Sequence, residues 1–77
     1  MITLKTIYKE RYRSIIQKLI ERRRVLNMTQ RQISARLNKP QSYIAKIEGF
    51  ERKLDVLEFI EICEVIDLEP STVLKNA

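Results

Sequence analysis

Seventy-seven residues are enough for one small domain, and 44% apolar residues indicate that this domain can fold around a core. The chain has no histidine and one cysteine, Cys63, which excludes histidine-based catalysis, a histidine- or thiolate-ligated zinc site and an internal disulfide. Ten lysines and arginines against two acids give residues 1–36 a net charge of +8, whereas residues 37–77 carry −3, so one half of the domain is suited to a polyanion.

The sequence also bounds location and chemistry. Its apolar runs fall short of the ~20 residues of a membrane span, and its first residues do not form a signal-peptide pattern. We therefore expect a cytoplasmic protein without membrane contact. An enzyme is not expected, because histidine, a nucleophile setting and a phosphate-cradling loop are all lacking from the sequence, and neither a metal nor a cofactor is expected.

One glycine, two prolines and the lack of a long alternating run predict an all-α fold in one domain, 1–77. Residues 1–6 are predicted to form a flexible arm. The first helix is predicted over 7–26, with Asn27 ending it because asparagine tolerates the left-handed conformation. Its apolar stripe includes Leu26, and its opposite face is basic: Lys9, Arg11, Arg13, Lys18, Arg22, Arg24.

The next two helices are predicted over 30–37 and 41–48. Thr29 and Gln32 form a capping-box pattern at the start of the second helix. Pro40 opens the third helix, and Gly49 is expected to end it because glycine takes positive φ without steric cost.

A fourth helix is predicted over 55–66, with Asp55 at its N-cap, and a short fifth over 70–75. The fourth helix has an apolar arc formed by Val56, Phe59, Ile62, Cys63 and Ile66. Cys63 is expected to be a buried, inert thiol. The acidic stripe of Glu58, Glu61 and Glu64 is interpreted as a solvated face rather than a metal or catalytic cluster.

The second and third predicted helices flank Asn38-Lys39-Pro40, which is the organisation of a helix-turn-helix. Gln41, Ser42 and Lys46 share the outward face of the third helix, where glutamine can pair with adenine and lysine with guanine. Helix capping is the alternative for Gln41 and Ser42, and a solvated lysine is the alternative for Lys46. Tyr43 is predicted to contact a phosphate or a thymine methyl, with packing as its alternative.

A wider pattern joins these residues at fixed spacings: Arg23, Thr29-Gln30, Ile33, Leu37, Gln41-Ser42-Tyr43-Ile44, Ile47-Glu48 and the segment 51–55. This pattern, over about residues 15–75, resembles the phage repressor and Cro-like helix-turn-helix family, also called the xenobiotic-response-element type. The resemblance implies a compact five-helix, lambda-repressor-like DNA-binding domain, with the helix-turn-helix at helices 2 and 3. Three positions depart from the family pattern: Ser34, Asn38 and the order Gly49-Phe50.

The resemblance also implies residue roles. Arg23 and Glu48 are expected to form a salt bridge that joins helix 1 to the end of helix 3, with Arg23 also near a phosphate. Gln30 is expected to bond a phosphate and to brace Gln41. Arg52 and Lys53 are expected to contact phosphates, with a solvated loop charge as the alternative.

These features predict a sequence-specific transcriptional regulator that binds operator double-stranded DNA as a homodimer through the major groove. Surplus apolar residues on the acidic half are the predicted dimer contact: Leu57, Ile60, Val65, Leu68, Val73, Leu74. One alternative is an antitoxin that regulates its own gene and binds a toxin. Another is a protein-interaction module that keeps the fold without binding DNA, and a co-regulator is a further possible partner.

Overall fold

The computed structural model describes residues 4–75 and 77, with the side chains of 9–75 and 77, and this part of the chain contains helices and no strand. The five helices are α1 (Leu4–Val25), α2 (Gln30–Arg36), α3 (Ser42–Glu48), α4 (Val56–Val65) and α5 (Pro70–Lys75). The predicted all-α, five-helix fold is confirmed. None of these helices has the length and apolar character that crossing a bilayer requires.

The start of α1 differs from the prediction. The helix begins at Leu4 rather than at residue 7, so residues 4–6 are helical and do not belong to the expected arm. Residues 1–3 of that arm lie outside the described residues. The other predicted helix bounds agree with the structure to within one residue.

Two helices begin with a reciprocal capping box. The Thr29 hydroxyl accepts a hydrogen bond from the Gln32 amide at 3.0 Å, and the Thr29 amide donates to Gln32 Oε1 at 2.8 Å, as the sequence pattern predicts. Asp55 does the same for α4, because its carboxylate accepts from the Glu58 amide at 2.7 Å while its own amide donates to Glu58 Oε1 at 3.0 Å. Each box satisfies backbone donors that a helix start would otherwise leave free.

The first four helices end in a common Schellman motif. A residue with φ between 50° and 61° follows each cap, and these residues are Asn27, Asn38, Phe50 and Asp67. After α3, for example, the Phe50 amide donates to the Ile47 carbonyl at 3.1 Å and the Glu51 amide donates to the Lys46 carbonyl at 2.9 Å. Asparagine and aspartate tolerate this conformation, whereas phenylalanine is unusual there.

Gly49 ends α3 as predicted, but the positive φ predicted for it is wrong. Gly49 has φ −87°, and the left-handed position belongs to Phe50, at φ 61°. A Cβ at Gly49 would stand 3.2 Å from the carbonyl oxygen of Ala45, which is closer than most side chains tolerate. Because glycine has no side chain, the backbone at position 49 can lie close to the Ala45 carbonyl. This close approach, and not a positive φ, is what the glycine permits.

Side chains from all five helices meet in one core: Ile16, Leu19, Ile20, Ile33, Tyr43, Ile44, Ile47, Phe59, Ile62, Cys63, Ile66, Val73. Cys63 is fully buried, as expected, and this burial raises the pKa of its thiol to about 11. Two residues that were predicted to belong to the apolar faces of helices are exposed at helix ends. Val56, the first residue of α4, is 75% exposed, and Leu26 lies beyond the end of α1 and is also exposed.

Part of the basic face of α1 stabilises the fold directly. Lys18 Nζ donates to the Val73 carbonyl at 3.3 Å, in the last turn of α5. Arg22 donates to the Ile66 carbonyl at 2.9 Å and to the Asp67 carbonyl at 3.0 Å, at the end of α4. Cations at helix C-termini offset the partial negative charge of unpaired carbonyls. These two side chains are accordingly committed to holding α4 and α5 against α1.

Candidate nucleic-acid interface

A buried hydroxyl joins the two helices of the predicted helix-turn-helix. Ser34, on α2, is fully buried, and its Oγ accepts a hydrogen bond from the Ile44 amide at 3.2 Å. Ile44 lies in the first turn of α3, where backbone amides lack helical partners. The Ser34 side chain, on α2, thus caps α3 and fixes where α3 starts.

An open groove lies between the starts of α2 and α3. Five of its six lining residues have polar side chains, and the six are Thr29, Gln30, Arg31, Gln41, Ser42, Ala45. The groove brings Gln30 together with Gln41 and Ser42, three of the predicted contact residues. Lys46 is exposed one turn further along α3.

The side chain of Gln41 forms no hydrogen bond with any residue whose side chain the structure describes. Gln41 and Ser42 are both exposed, and Gln41 forms no capping hydrogen bond with any described residue at the start of α3. Because Ser34 provides the cap from α2, the capping alternative for Gln41 is not what the structure shows. An amide with free donor and acceptor atoms at this position can pair with the edge of a base.

Tyr43, on α3, is buried. Its side chain packs in the core, and the residue is 7% exposed. Burial, with the negative charge of Glu58 nearby, raises the pKa of its hydroxyl to about 12. This packing agrees with the packing alternative, and the DNA contact of Tyr43 stays a prediction. The ring supports two cations, with Lys39 Nζ 5.5 Å and Arg52 Cζ 5.0 Å from its centroid.

The structure contains the expected ion pair between Arg23 and Glu48. Arg23 Nε donates to Glu48 Oε2 at 2.7 Å and a second guanidinium nitrogen donates to Oε1 at 2.9 Å, with both side chains nearly buried. Arg23 also donates to the Met28 carbonyl at 3.0 Å, and Gln30 Nε2 donates to Glu48 Oε1 at 2.8 Å. Gln30 therefore braces Glu48 and not Gln41. The network ties α1, the start of α2 and the end of α3 together.

Arg52 is engaged within the protein. Its two terminal nitrogens donate to the Glu58 carboxylate at 3.0 Å and 2.6 Å. These hydrogen bonds, with one from the Asp55 amide, lower the pKa of Glu58 to about 2, so the acid is ionised at neutral pH. Lys53, in contrast, is exposed and forms no ion pair with any residue whose side chain is described.

Three residues near the groove were missed by the sequence analysis. Arg31 and Ala45 line the groove, and Lys39 is exposed in the turn between α2 and α3. Arg31 directly follows Gln30, and Lys39 lies between the two predicted helices, so their charge and position were available signals. Ala45 has no polar atom in its side chain, and the sequence offers little reason to select it.

Two short helices joined by a tight turn, with an exposed face on the second, are the organisation of a helix-turn-helix protein. A family model described as helix-turn-helix matches residues 19–73, which is most of the chain. A solved structure of an XRE-family like protein from Pseudomonas syringae pv. tomato str. DC3000 is 40% identical, with a TM-score of 0.89, and the match covers 94% of this chain and 88% of that chain. A search of curated proteins finds no match.

The chain belongs to the XRE family of helix-turn-helix proteins. This confirms the resemblance inferred from Arg23, Gln30, Glu48 and their spacing. Family membership supports the predicted class, which is that of DNA-binding transcriptional regulators.

Proposed function

We propose that this protein binds operator DNA in a sequence-specific manner as a homodimer, with α3 in the major groove. The observation that carries the proposal is the exposed, uncommitted amide of Gln41 at the start of α3, in the groove between α2 and α3. Gln41 would pair with adenine, and Ser42 would donate or accept a hydrogen bond at a base edge. Lys46 would reach the acceptor atoms of guanine. The rest of the site supports these contacts.

The proposed supporting residues act in two ways. Arg23 and Gln30 hold Glu48, so we assign them first to fixing the angle of α3, and their phosphate contacts are secondary. The exposed cations Arg31, Lys39 and Lys53 are the proposed phosphate contacts. Such contacts position a protein on DNA without reading its sequence.

The proposed dimer surface is narrower than the sequence predicts. Val73 is buried in the monomer, so it is removed from the interface, and Val65 and Leu68 pack partly against the core. Leu57, Ile60 and Leu74 remain exposed, and Val56 joins them. One recognition helix contacts few bases, whereas a two-fold dimer presents two helices about 34 Å apart to successive major grooves.

Selection from a random duplex pool tests sequence-specific binding. We expect one enriched sequence, bound at least about 1,000-fold more tightly than random DNA at the same salt concentration. Gln41→Ala should weaken the selected site by about 1–3 kcal/mol and leave random DNA almost unchanged. Lys53→Ala is the matched control, because loss of a phosphate contact should weaken both duplexes alike. If both variants lost affinity equally on both duplexes, the assignment of α3 as the helix that reads the bases would be refuted.

Sedimentation equilibrium tests the dimer. We expect the wild-type mass to be twice that of the chain at micromolar concentration, or to become so on the selected duplex. Leu57→Glu should give a monomer, because it places a charge within the proposed contact. Val25→Glu, at a 71% exposed apolar residue on α1, should leave the mass unchanged. A monomeric wild type on operator would reject the homodimer, and a stable complex with a co-expressed toxin would favour the antitoxin alternative.

A further inference from the structure

Four side chains from separate segments form a stack beside the recognition helix. They are Lys39 from the turn after α2, Tyr43 from α3, Arg52 from the loop after α3, and Glu58 from α4. Lys39 Nζ lies 5.5 Å and Arg52 Cζ 5.0 Å from the centroid of the Tyr43 ring, and Glu58 pairs with Arg52 while also lying close to Tyr43. The stack therefore places the positive charges of Lys39 and Arg52 beside α3. Of these two, Arg52 has a carboxylate partner, Glu58.

The two cations differ in their surroundings. Arg52 has a bidentate pair with Glu58 at 3.0 Å and 2.6 Å, and Asp55 adds a second negative charge near it. Lys39 is exposed and forms no ion pair with any described side chain. A phosphate that approaches this side of α3 thus meets a free ammonium at Lys39 and a neutralised guanidinium at Arg52.

Glu58 is itself held firmly in place. It is the partner of Asp55 in the capping box of α4, and its side chain is 13% exposed. Bidentate arginine–carboxylate pairs are among the stronger side-chain hydrogen bonds. A DNA phosphate would have to compete with this geometry before Arg52 could contact it.

We propose that Glu58 is an internal counter-charge that withholds Arg52 from DNA phosphate and thereby limits sequence-independent binding. This inference rests on the proposed function and replaces the phosphate role expected for Arg52. Non-specific affinity comes from the neutralisation of phosphates by cations, with the release of counterions. Each cation withheld lowers random-DNA affinity and leaves base recognition by Gln41 in place.

Glu58→Gln tests the proposal. Glutamine keeps an acceptor for the Asp55 amide and suits the same capping-box position, so the fold is retained. The variant leaves Arg52 without a charged partner in the carboxylate position. We expect tighter binding of a random duplex, by about eight-fold at 0.1 M salt, and a slope of log affinity against log salt that is steeper by about 0.9.

Two further variants identify the source of the change. Glu64→Gln removes a charge from the same helix at an exposed residue that forms no ion pair with any described side chain, and its salt slope should equal that of the wild type. Adding Arg52→Gln to Glu58→Gln should return the slope to the wild-type value. A purely structural role for Glu58 would leave the slope unchanged, so the slope and not the melting temperature decides between the two roles.

The possible results separate this inference from the proposed function. An unchanged slope or weaker random-duplex binding by Glu58→Gln, in a protein that still selects its operator, overturns the counter-charge alone. A steeper slope that persists after Arg52→Gln also overturns it, because the gain then has another source. A wild-type protein that binds neither the selected nor the random duplex overturns the proposed function and this inference together.

Discussion

Phe50 combines an unfavourable backbone conformation with specific side-chain packing. It has φ 61°, which costs an L-residue about 1–2 kcal/mol relative to glycine. Its ring packs edge-to-face with Tyr12 at a centroid distance of 6.4 Å and lies under the Arg13 guanidinium at 4.9 Å. Such contacts are worth about 0.5–1.5 kcal/mol for the aromatic pair. The ring therefore offsets part of the cost of its own backbone.

Two substitutions at Phe50 separate these effects. Phe50→Ala and Phe50→Gly both remove the ring, but glycine alone relieves the left-handed strain. We expect the glycine variant to be more stable than the alanine variant by about 1 kcal/mol in urea unfolding. Equal stability, or a more stable alanine variant, would show that the loop does not hold residue 50 at positive φ.

The Ser34 hydroxyl is expected to contribute to the stability of the fold. Ser34→Ala removes the acceptor for the buried Ile44 amide, so we expect a loss of about 1–2 kcal/mol in the free energy of unfolding. Ser42→Ala, at an exposed serine on α3, should change it by less than about 0.5 kcal/mol. Similar losses at both positions would mean that the Ser34 hydrogen bond contributes little.

The starts of α2 and α4 were the most predictable features of the fold. Thr29 and Asp55 lie three residues before Gln32 and Glu58, and local spacing alone determines such capping boxes. The end of α3 was less predictable, because either Gly49 or Phe50 could take the left-handed position. The choice depends on the packing of Phe50 against α1, which is a contact distant in sequence.

The network around Glu48 connects three elements and should be costly to break. Glu48→Ala leaves the Arg23 guanidinium nearly buried without its carboxylate, so we expect a loss of about 3 kcal/mol in the free energy of unfolding. Glu64→Ala is the control, since this exposed acid forms no ion pair with any described side chain. A loss below about 1 kcal/mol at Glu48 would contradict a structural role for the pair.

The ion pair between α4 and the preceding loop predicts a pH dependence. The hydrogen bonds from Arg52 and the Asp55 amide lower the pKa of Glu58 from its ordinary 4.5 to about 2. The pair therefore stabilises the fold fully above pH 4.5, and this contribution is lost as the pH falls toward 2. We expect the melting temperature of wild type to exceed that of Glu58→Gln at pH 6, with the difference shrinking through this range. A constant difference would contradict the assignment.

The sequence identified the fold and the helix-turn-helix at α2 and α3, but not which side chains are buried or paired. Gln41 and Ser42 are exposed as expected, because outward positions follow from helical periodicity. Tyr43 and Arg52 were assigned to DNA contacts, whereas the structure places one in the core and pairs the other with Glu58. Glu58 of α4 lies near both residues, and the position of α4 relative to them is not encoded in local spacing.

The most direct test of the account is nuclear magnetic resonance of the amides during titration with the selected duplex. If α3 lies in the major groove, we expect the largest shifts on residues 30–31 and 41–46, which line or adjoin the groove between α2 and α3. Amides of α5 should change little apart from effects of dimerisation. Shifts confined to α4 and α5, with residues 41–46 unchanged, would contradict the placement of α3 in the major groove.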